Sequence, residues 1–378
     1  MIYLDNSATT RVCLEAAQAA YTCMTEGYFN PSALYVPAME AEKQMTLCRE
    51  ALLSAVHAPQ GSRAVFVSGG TEADNLAILG GMQSVREGLV LYSAGEHPAV
   101  REACESLRTV RSKEIPLDRD GFVSLEKLEG MLNEEVRLIC VMQVNNETGA
   151  VMPIREIAAL RDRLCPRALL HVDGVQGFLR VPFDMGQSGA DSYALSGHKI
   201  HAPKGIGALI MGPRCRLTAR QIGGGQERTL RSGTENTSGI AGLLAAVQSY
   251  PKDADLRAMK LRLWEQVKAL IPQAVYNGPD PASDRSAPHI LNLSLPPVRS
   301  ETMLHALEGD QIYIGLGSAC SSHKQRVSRV LSAMGIAGQR AESALRFSLS
   351  PLNTMEEMDF AAQALKKHYE TYSQFVRR

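Results

Sequence analysis

The sequence lacks an excess of either charge, since 40 Lys and Arg residues stand against 40 Asp and Glu residues in a chain of 378. A formal net charge of zero argues against a protein that binds nucleic acid mainly by electrostatics. The sequence also lacks any apolar run of the roughly 18 residues that a membrane helix requires. Residues 1–6 include an early acid and lack the basic-then-apolar pattern of a signal peptide. We therefore expect a cytoplasmic protein with no membrane partner and no direct contact to nucleic acid.

Paired cysteines are absent as well. None of the eight cysteines falls in a Cys-x-x-Cys pair, which argues against a zinc site, and we expect no metal. A chain of this length does not need disulfides, and a cytoplasm keeps thiols reduced. Most of the cysteines are therefore expected to be small core residues, as Cys140 is within the apolar run 138–142.

Apolar runs alternate with helix-length stretches along the first half of the chain, and each run ends in small or polar residues. The runs are 64–67, 89–92, 138–144, 168–172 and 190–195. Continuous apolar strands separated by helices are typical of an α/β protein with a buried, mostly parallel sheet. The run 206–211 follows a turn and is predicted to return antiparallel. Ligands bind such sheets at the carboxyl ends of the strands, where the polar clusters lie.

The length of the chain favours two domains. A helical pattern covers about 237–271, and Pro251 marks a boundary within it. Strand candidates at 290–294, 312–314 and 345–349 follow. We predict an N-terminal arm of residues 1–15 that packs with the small domain, a large domain of residues 16–250 and a smaller α+β domain of residues 251–378.

Three polar residues at the ends of successive apolar runs indicate a pyridoxal 5'-phosphate (PLP) site. Lys199 follows the run 190–195, and Asp173 and Gln176 follow the run 168–172. A lysine can bind the PLP aldehyde as a Schiff base, and an aspartate can pair with the pyridinium nitrogen. Asp173 could otherwise be a helix cap, but a buried aspartate needs a partner.

A phosphate group fits the glycine-rich turn 68–71, where Gly70 and Thr71 join a strand to a helix. The turn alone is a weak signal, because any strand-to-helix turn looks similar. Ser196 and His198, which flank the lysine, could complete the phosphate site.

Three further residues each allow both a functional and a purely structural interpretation. His97 could stack on the pyridine ring and move protons, or could cap a helix. Cys320 lies in a Gly- and Ser-rich stretch followed by basic residues, which favours a thiolate nucleophile, although a free surface cysteine would look the same. Arg346 interrupts an apolar segment and could clamp a substrate carboxylate or form an internal ion pair.

Taken together, the ordered motifs resemble the cysteine desulfurases of the NifS/IscS type, which belong to the class-V aminotransferases among fold-type-I PLP enzymes. The matching segments are 3–10, 30–32, 68–75, 96–97, 144–149, 196–199, 223–228, 230–236, 317–320 and 346–348. The serine-rich stretch around Cys320 fits the long-loop branch. The resemblance implies a large domain with a seven-stranded, mostly parallel sheet.

The resemblance also implies a role for each matching residue. Lys199 would hold PLP and move protons at the substrate Cα, and His97 would stack on the ring and act in acid–base steps. Cys320 would take the sulfur of L-cysteine as a persulfide, leaving L-alanine. The remaining implied cofactor contacts are Gly70, Thr71, Asn146, Asp173, Gln176, Ser196, His198 and Thr234, the last reaching the neighbouring subunit's phosphate in a homodimer. The implied substrate contacts are Asn30, Asn146 and Arg346.

Such an enzyme would supply sulfur to an Fe–S scaffold, to a tRNA-thiolation enzyme, or to both, and the basic residues after Cys320 favour the thiolation partner. A selenocysteine lyase, an aminotransferase and a non-catalytic sulfur-relay scaffold remain as alternatives. The chain departs from the family at Gly174 and Gly177, where relatives often carry Ala and Ser, and at Pro98, which could start a helix.

Overall fold

The computed structural model describes residues 1–251, 254–316 and 328–375. In chain order its elements are β1 (Ile2–Leu4), α1 (Leu14–Thr25), α2 (Val36–Ala55), β2 (Arg63–Val67), α3 (Gly70–Asn75), β3 (Leu89–Ser93), α4 (Pro98–Glu105), β4 (Arg111–Ile115), α5 (Leu125–Met131), β5 (Val136–Met142), α6 (Ile154–Leu164), β6 (Leu169–Asp173), α7 (Met185–Ser188), β7 (Ser192–Ser196) and β8 (Gly207–Met211). The second half contains α8 (Thr237–Ser249), α9 (Leu256–Leu270), β9 (Val275–Tyr276), β10 (Ile290–Ser294), α10 (Ser300–Gly309), β11 (Ile312–Ile314), α11 (Arg329–Ala333), α12 (Gly338–Glu342), β12 (Ala344–Ser348) and α13 (Met355–Tyr372).

Seven strands form one sheet in the order β2-β8-β7-β6-β5-β3-β4. Strand β8 runs antiparallel to both of its neighbours, and the other pairs are parallel. The central strands are buried on both faces, because helices cover the sheet on either side and leave no room for polar alternation. The predicted seven-stranded, mostly parallel sheet is therefore confirmed, as is the antiparallel return at 206–211.

Two smaller sheets follow in the second half of the chain. Strands β12, β10 and β9 form an antiparallel sheet, while β11 pairs in parallel with the N-terminal strand β1. The three strand candidates of this half are all strands, although β11 joins the N-terminal strand rather than its neighbours in sequence. Leu4 belongs to the hydrophobic cluster formed by α9, β10, β12 and α13, so the first residues of the chain pack with its last third.

The N-terminal segment then crosses to the seven-stranded sheet. The hydroxyl of Thr10 donates to the carbonyl of His198 at 3.0 Å, just after β7. This crossing places residues 5–10 directly over the carboxyl ends of the central strands. No helix in the described ranges is both long and apolar enough to cross a membrane.

Candidate active site

A cavity of about 380 Å³ opens at the carboxyl ends of the parallel strands. The ends of β3, β5, β6 and β7 contribute side chains to it, as do the start of α3 and the N-terminal segment. Its lining includes Ser7, Gly70, Thr71, Asp74, Glu96, His97, Asn146, Glu147, Asp173, Gln176, Ser196, His198, Lys199, Arg329 and Arg346. The cavity thus brings together the cofactor-site residues that the sequence predicts within one chain.

Lys199 lies in the short 3-10 turn Gly197–Lys199 that follows β7. Its ammonium group donates to the backbone carbonyls of Ser7 and Ala8, the latter at 2.8 Å. Both acceptors belong to the N-terminal segment that crosses the sheet. The N-terminal segment therefore sets the position of the lysine from the opposite side of the cavity.

Asp173 is the last residue of β6 and is buried. One carboxylate oxygen accepts a hydrogen bond from the backbone N–H of Val175 at 2.9 Å. Burial, reinforced by the nearby Asp74 carboxylate, raises the pKa of Asp173 to about 7. A buried carboxylate of this kind gains a partner when a cationic N–H enters the cavity.

His97 caps the amino end of α4, and its Nδ1 accepts the backbone N–H of Ala99 at 3.2 Å. Pro98 starts this helix, as the sequence suggested. Burial lowers the pKa of His97, and the charges of Lys199 and Arg101 act in the same direction against that of Asp173. The ring is therefore neutral near pH 7 and, because Nδ1 accepts, carries its proton on Nε2. His97 is both a helix cap and a lining residue, so its two readings do not exclude each other.

The predicted phosphate residues lie together at one end of the cavity. Gly70, Thr71, Ser196 and His198 all line it. At Gly70 an added Cβ would lie 2.5 Å from Cγ2 of Val175, so no larger residue fits there. Burial and the adjacent Lys199 lower the pKa of His198 to about 4, which leaves its ring neutral in the protein alone.

Arg346 lies on β12 at the far side of the cavity and is almost fully buried. Its Nη2 donates to Oδ1 of Asp5 at 2.7 Å, and its Nη1 donates to the carbonyl of Asn146 at 3.1 Å. Its Nε is buried and has no hydrogen-bond partner in the described part of the chain. The internal ion pair suggested by the sequence is present, and one buried N–H group of the guanidinium has no partner in the described residues.

Two predicted residues lie elsewhere, and a third is not among the described residues. Asn30 is exposed and accepts the backbone N–H of Ser32, and it does not line the cavity. Thr234 is also exposed and outside the cavity of its own chain. Cys320 lies outside the described residues. The roles assigned to these three residues stay predictions.

Sequence reasoning missed three buried carboxyl groups in the cavity wall, those of Asp74, Glu96 and Glu147. Asp74, on α3, lies 3.1 Å from Nε2 of His171, and burial raises its pKa well above the usual range. Glu96 accepts the backbone N–H of Met142 through Oε1, while its buried Oε2 has no partner in the described ranges. Burial, with the charge of Asp173, raises the pKa of Glu96 as well. A carboxylate directly before His97 at a strand end was the available signal for Glu96.

The two glycines that depart from the family pattern are explained by their neighbours. A Cβ at Gly174 would overlap the ring of Tyr193, and one at Gly177 would overlap the side-chain amide of Gln143. The Tyr193 hydroxyl donates to Oε1 of Gln143 at 2.7 Å, so the two large side chains form one unit behind Asp173. The two glycines in the loop after β6 therefore leave the space that the large side chains of Tyr193 and Gln143 occupy.

The lining residues fit PLP. The cavity combines a lysine amine, a buried carboxylate, a neutral histidine and a hydroxyl-bearing, glycine-containing end suited to a phosphate. The unpartnered Nε of Arg346 adds a donor for a carboxylate.

Comparisons with known proteins agree with this chemistry. The family described as "Aminotransferase class-V" matches residues 2–360. A cysteine desulfurase of Sinorhizobium fredii is 35% identical over 367 residues, covering 95% of this chain and 94% of that protein. The cysteine desulfurase IscS of Clostridium botulinum is 34% identical over 375 residues, with 97% and 94% covered. A solved NifS-like protein superposes with a TM-score of 0.89 at 30% identity, covering 99% of this chain and all of that one.

Proposed function

The chain belongs to the aminotransferase class-V family, and from that premise we propose that its cavity removes sulfur from L-cysteine, leaves L-alanine and transfers the sulfur to Cys320. Cysteine desulfurases that are similar over nearly the whole chain support a PLP-dependent cysteine desulfurase that supplies sulfur for Fe–S cluster assembly. The observation that carries the proposal is the convergence of His97, Asp173 and Lys199 on one cavity.

When bound, PLP supplies an electron sink for the pair released at the substrate Cα. Lys199 would hold its aldehyde, and Asp173 would keep its ring nitrogen protonated. Gly70, Thr71, Ser196 and His198 would bind the phosphate, while Gln176 would donate to the phenolic oxygen. Asn146, which lines the cavity and whose backbone carbonyl accepts from Arg346, would contact both the cofactor and the substrate.

Proton transfers would fall to two side chains that line the cavity, Lys199 and His97. The Lys199 amine would take and return the proton at the substrate Cα. His97 has a neutral ring near pH 7 with its proton on Nε2; to move a proton it would take one at Nδ1, in place of the contact to Ala99, and release the one on Nε2.

The substrate α-carboxylate would bind Arg346. The buried Nε of this residue has no partner in the described residues, and a carboxylate oxygen would satisfy it. Asn30 would complete the carboxylate site in the assembled protein.

Cys320 would attack the substrate sulfur as a thiolate. The bond between sulfur and the substrate Cβ would break, a sulfur–sulfur bond would form on Cys320, and one proton added at Cβ and one returned to Cα would complete L-alanine. The products are one alanine and one enzyme persulfide for each L-cysteine, with no external oxidant or reductant.

The direct test is to incubate the PLP-loaded protein with L-cysteine, measure alanine, and map the persulfide by mass spectrometry. We expect the persulfide on Cys320 and, after borohydride reduction, the cofactor on Lys199. Cys13→Ser is the matched control, since Cys13 is a free thiol that is partly accessible and does not line the cavity.

Full sulfur release by Cys320→Ala would contradict the transfer step. Pyruvate formed in place of alanine would instead indicate an aminotransferase, and protein that cannot bind PLP would indicate a scaffold.

A homodimer is the second part of the proposal. Large apolar side chains on and between α1 and α2 are exposed on the single chain, Leu34 by 98%. The set comprises Leu14, Tyr21, Met24, Tyr28, Leu34, Tyr35, Val36 and Met39. An apolar surface of this extent is typical of a protein–protein interface. We propose that a second copy covers it and that Thr234 of each copy reaches the phosphate in the other.

Light scattering tests the dimer. Met39→Glu places a charge on the exposed face of α2 and is expected to give monomers, whereas the same change at Phe360, an exposed residue on α13, leaves the mass unchanged. If Met39→Glu still has the mass of a dimer, the exposed face of α2 is not part of the interface.

The sulfur acceptor is proposed to be an Fe–S scaffold, a tRNA-thiolation enzyme, or both, in the cytoplasm. Basic residues that follow Cys320 in the sequence favour the thiolation partner. Side-by-side transfer from the persulfide form to both acceptors decides between them, and equal rates would remove the preference.

We also propose the division into an arm of residues 1–15, a large domain of residues 16–250 and a small domain of residues 251–378. Two large hydrophobic clusters support it, one around α9, β10, β12 and α13, and one around the seven-stranded sheet, against which residues from 330–344 of the small domain also pack. The presence of Leu4 in the second cluster supports an arm that packs with the small domain.

A further inference from the structure

Arg180 is buried behind the active site and contacts two of its residues. Its Nη1 donates to Oε1 of Gln176 at 3.0 Å, and its Nη2 donates to the backbone carbonyl of Lys199. Arg180 does not line the active-site cavity but a separate one of about 350 Å³, which it shares with Tyr250. The guanidinium therefore lies between the two cavities and reaches the cofactor site only through its neighbours.

The contact to Gln176 determines how that amide is turned. A guanidinium has only donors, so the amide oxygen must face Arg180. The other end agrees, because Nε2 of Gln176 donates at 3.0 Å to the carbonyl of Ser7, which is only an acceptor. Nε2 carries two hydrogens, and the second remains for a ligand in the cavity. Gln176 can thus present a donor, and not an acceptor, to the cofactor.

The positive charge of Arg180 also strengthens the Gln176 amide as a hydrogen-bond donor. The groups that face it are neutral: the hydroxyl of Tyr250 shares a hydrogen bond with it, Tyr193 lies close by, and the buried ring of His289 has a pKa well below its usual range. None of these described groups is a carboxylate that would neutralise the guanidinium. A charged donor on the amide oxygen polarises the amide and strengthens its N–H as a donor.

We propose that Arg180 is a positioning residue for the desulfurase reaction, which fixes and polarises the Gln176 amide as a donor to the cofactor's phenolic oxygen. This inference rests on the proposed PLP-dependent function. Arg180 acts through Gln176, so removal of either residue leaves more negative charge on the phenolic oxygen. The nitrogen that joins Lys199 to the cofactor then keeps its proton to higher pH.

The test is a double-mutant cycle on the visible absorption of the bound cofactor, titrated with pH. Arg180→Met and Gln176→Leu are each expected to raise the apparent pKa of the Lys199–cofactor linkage by about one unit, the effect of losing one charge-assisted hydrogen bond. The double variant is expected to match the single ones, because the two residues act in series. Arg180→Lys keeps the charge but not the two-pronged contact, and an intermediate shift is expected.

Lys260→Met is the matched control, since Lys260 is a buried cation that contacts Ser286 and Ala287 and does not line the active-site cavity. It is expected to lower the melting temperature without moving the spectral pKa. Additive shifts in the double variant, or an Arg180→Met protein that melts earlier with an unchanged spectral pKa, would overturn the proposal. Failure of the wild-type protein to bind PLP or release alanine would instead overturn the proposed function, and this inference with it.

Discussion

Asp5, which directly follows β1, and Arg346 on β12 form an ion pair of 2.7 Å. The arginine side chain is 3% exposed and the aspartate 19%. Gly315 packs against both, and a Cβ there would lie 2.6 Å from Oδ1 of Asp5 and 2.8 Å from Nη2 of Arg346. The group proposed to bind the substrate carboxylate is therefore already paired with a carboxylate of the protein.

Replacing Asp5 by Asn tests this relationship. The change keeps the shape but leaves Arg346 as an uncompensated buried charge, which should lower the free energy of unfolding by about 3 kcal/mol. The same loss of negative charge should strengthen the attraction for the substrate carboxylate and lower the KM for L-cysteine roughly fivefold. Urea unfolding and steady-state alanine release measure the two effects.

Asp359→Asn provides the comparison, because Asp359 forms an ion pair of similar length with Arg262 at an exposed site. Neither stability nor KM should change much there. An increase of KM in Asp5→Asn would mean that Asp5 orients Arg346 for the substrate instead of competing with it.

Asp173 should make the cofactor-free protein less stable as the pH rises. Its pKa of about 7 in the folded protein, raised first by burial and then by Asp74, exceeds the ordinary value of about 3.9 for an unfolded chain. The folded state therefore holds the proton more tightly, and this stabilisation is lost as the pH rises from about 4 to about 7. His171, whose pKa burial lowers to about 4, has the opposite effect over nearly the same range.

The contribution of Asp173 is isolated by comparing the wild type with Asp173→Asn. The free energy of unfolding of the wild type should fall relative to that of Asp173→Asn by up to about 4 kcal/mol between pH 4 and pH 8. Urea unfolding of both proteins without PLP at several pH values measures it. A difference that does not depend on pH would mean that Asp173 is ionised in the folded protein throughout.

Gly174→Ala should destabilise the loop that carries Asp173 and Gln176. The new methyl group would overlap the Tyr193 ring, and overpacking of this kind costs about 1–3 kcal/mol. Adding Tyr193→Leu should recover part of that loss, since the smaller side chain frees the space, although Tyr193→Leu alone is destabilising. Thermal unfolding of the two single variants and the double variant tests the coupling.

Gly130→Ala is the control for the methyl group, because its Cβ would meet nothing within 4 Å. It should be neutral or slightly stabilising, since Gly130 lies in α5. Strict additivity between Gly174→Ala and Tyr193→Leu would contradict a direct contact between the two positions.

Shared active sites predict complementation between two inactive proteins. Lys199→Ala removes the cofactor lysine, and Thr234→Asp places a negative charge against the phosphate proposed to bind across the interface. Mixed dimers contain one site with both wild-type residues, so unfolding and refolding the two variants together should restore part of the alanine release.

Thr371→Asp, at an exposed threonine on α13, should stay active by itself. Mass measurement should first show that mixed dimers have formed. If such a mixture releases no alanine, Thr234 does not contribute to the active site of the neighbouring subunit.

The sequence by itself determined six of the seven strands of the main sheet and the positions of Lys199, Asp173, Gln176 and His97 at strand ends, whereas the polar strand β4 has no apolar run. Local signals were sufficient there, because continuous apolar runs specify buried strands and parallel strands bring their carboxyl ends to one edge. The resemblance to a known family assigned the roles, which no spacing alone could give.

Only the tertiary structure decided which groups complete the cavity from distant parts of the chain. Asp5 meets Arg346 across 341 positions, and Arg180 turns the Gln176 amide from outside the cavity. The close contact between Gly174 and the ring of Tyr193 likewise depends on neighbouring strands. Such contacts depend on packing in three dimensions, and a sequence pattern carries no record of which side chain fills the space beside another.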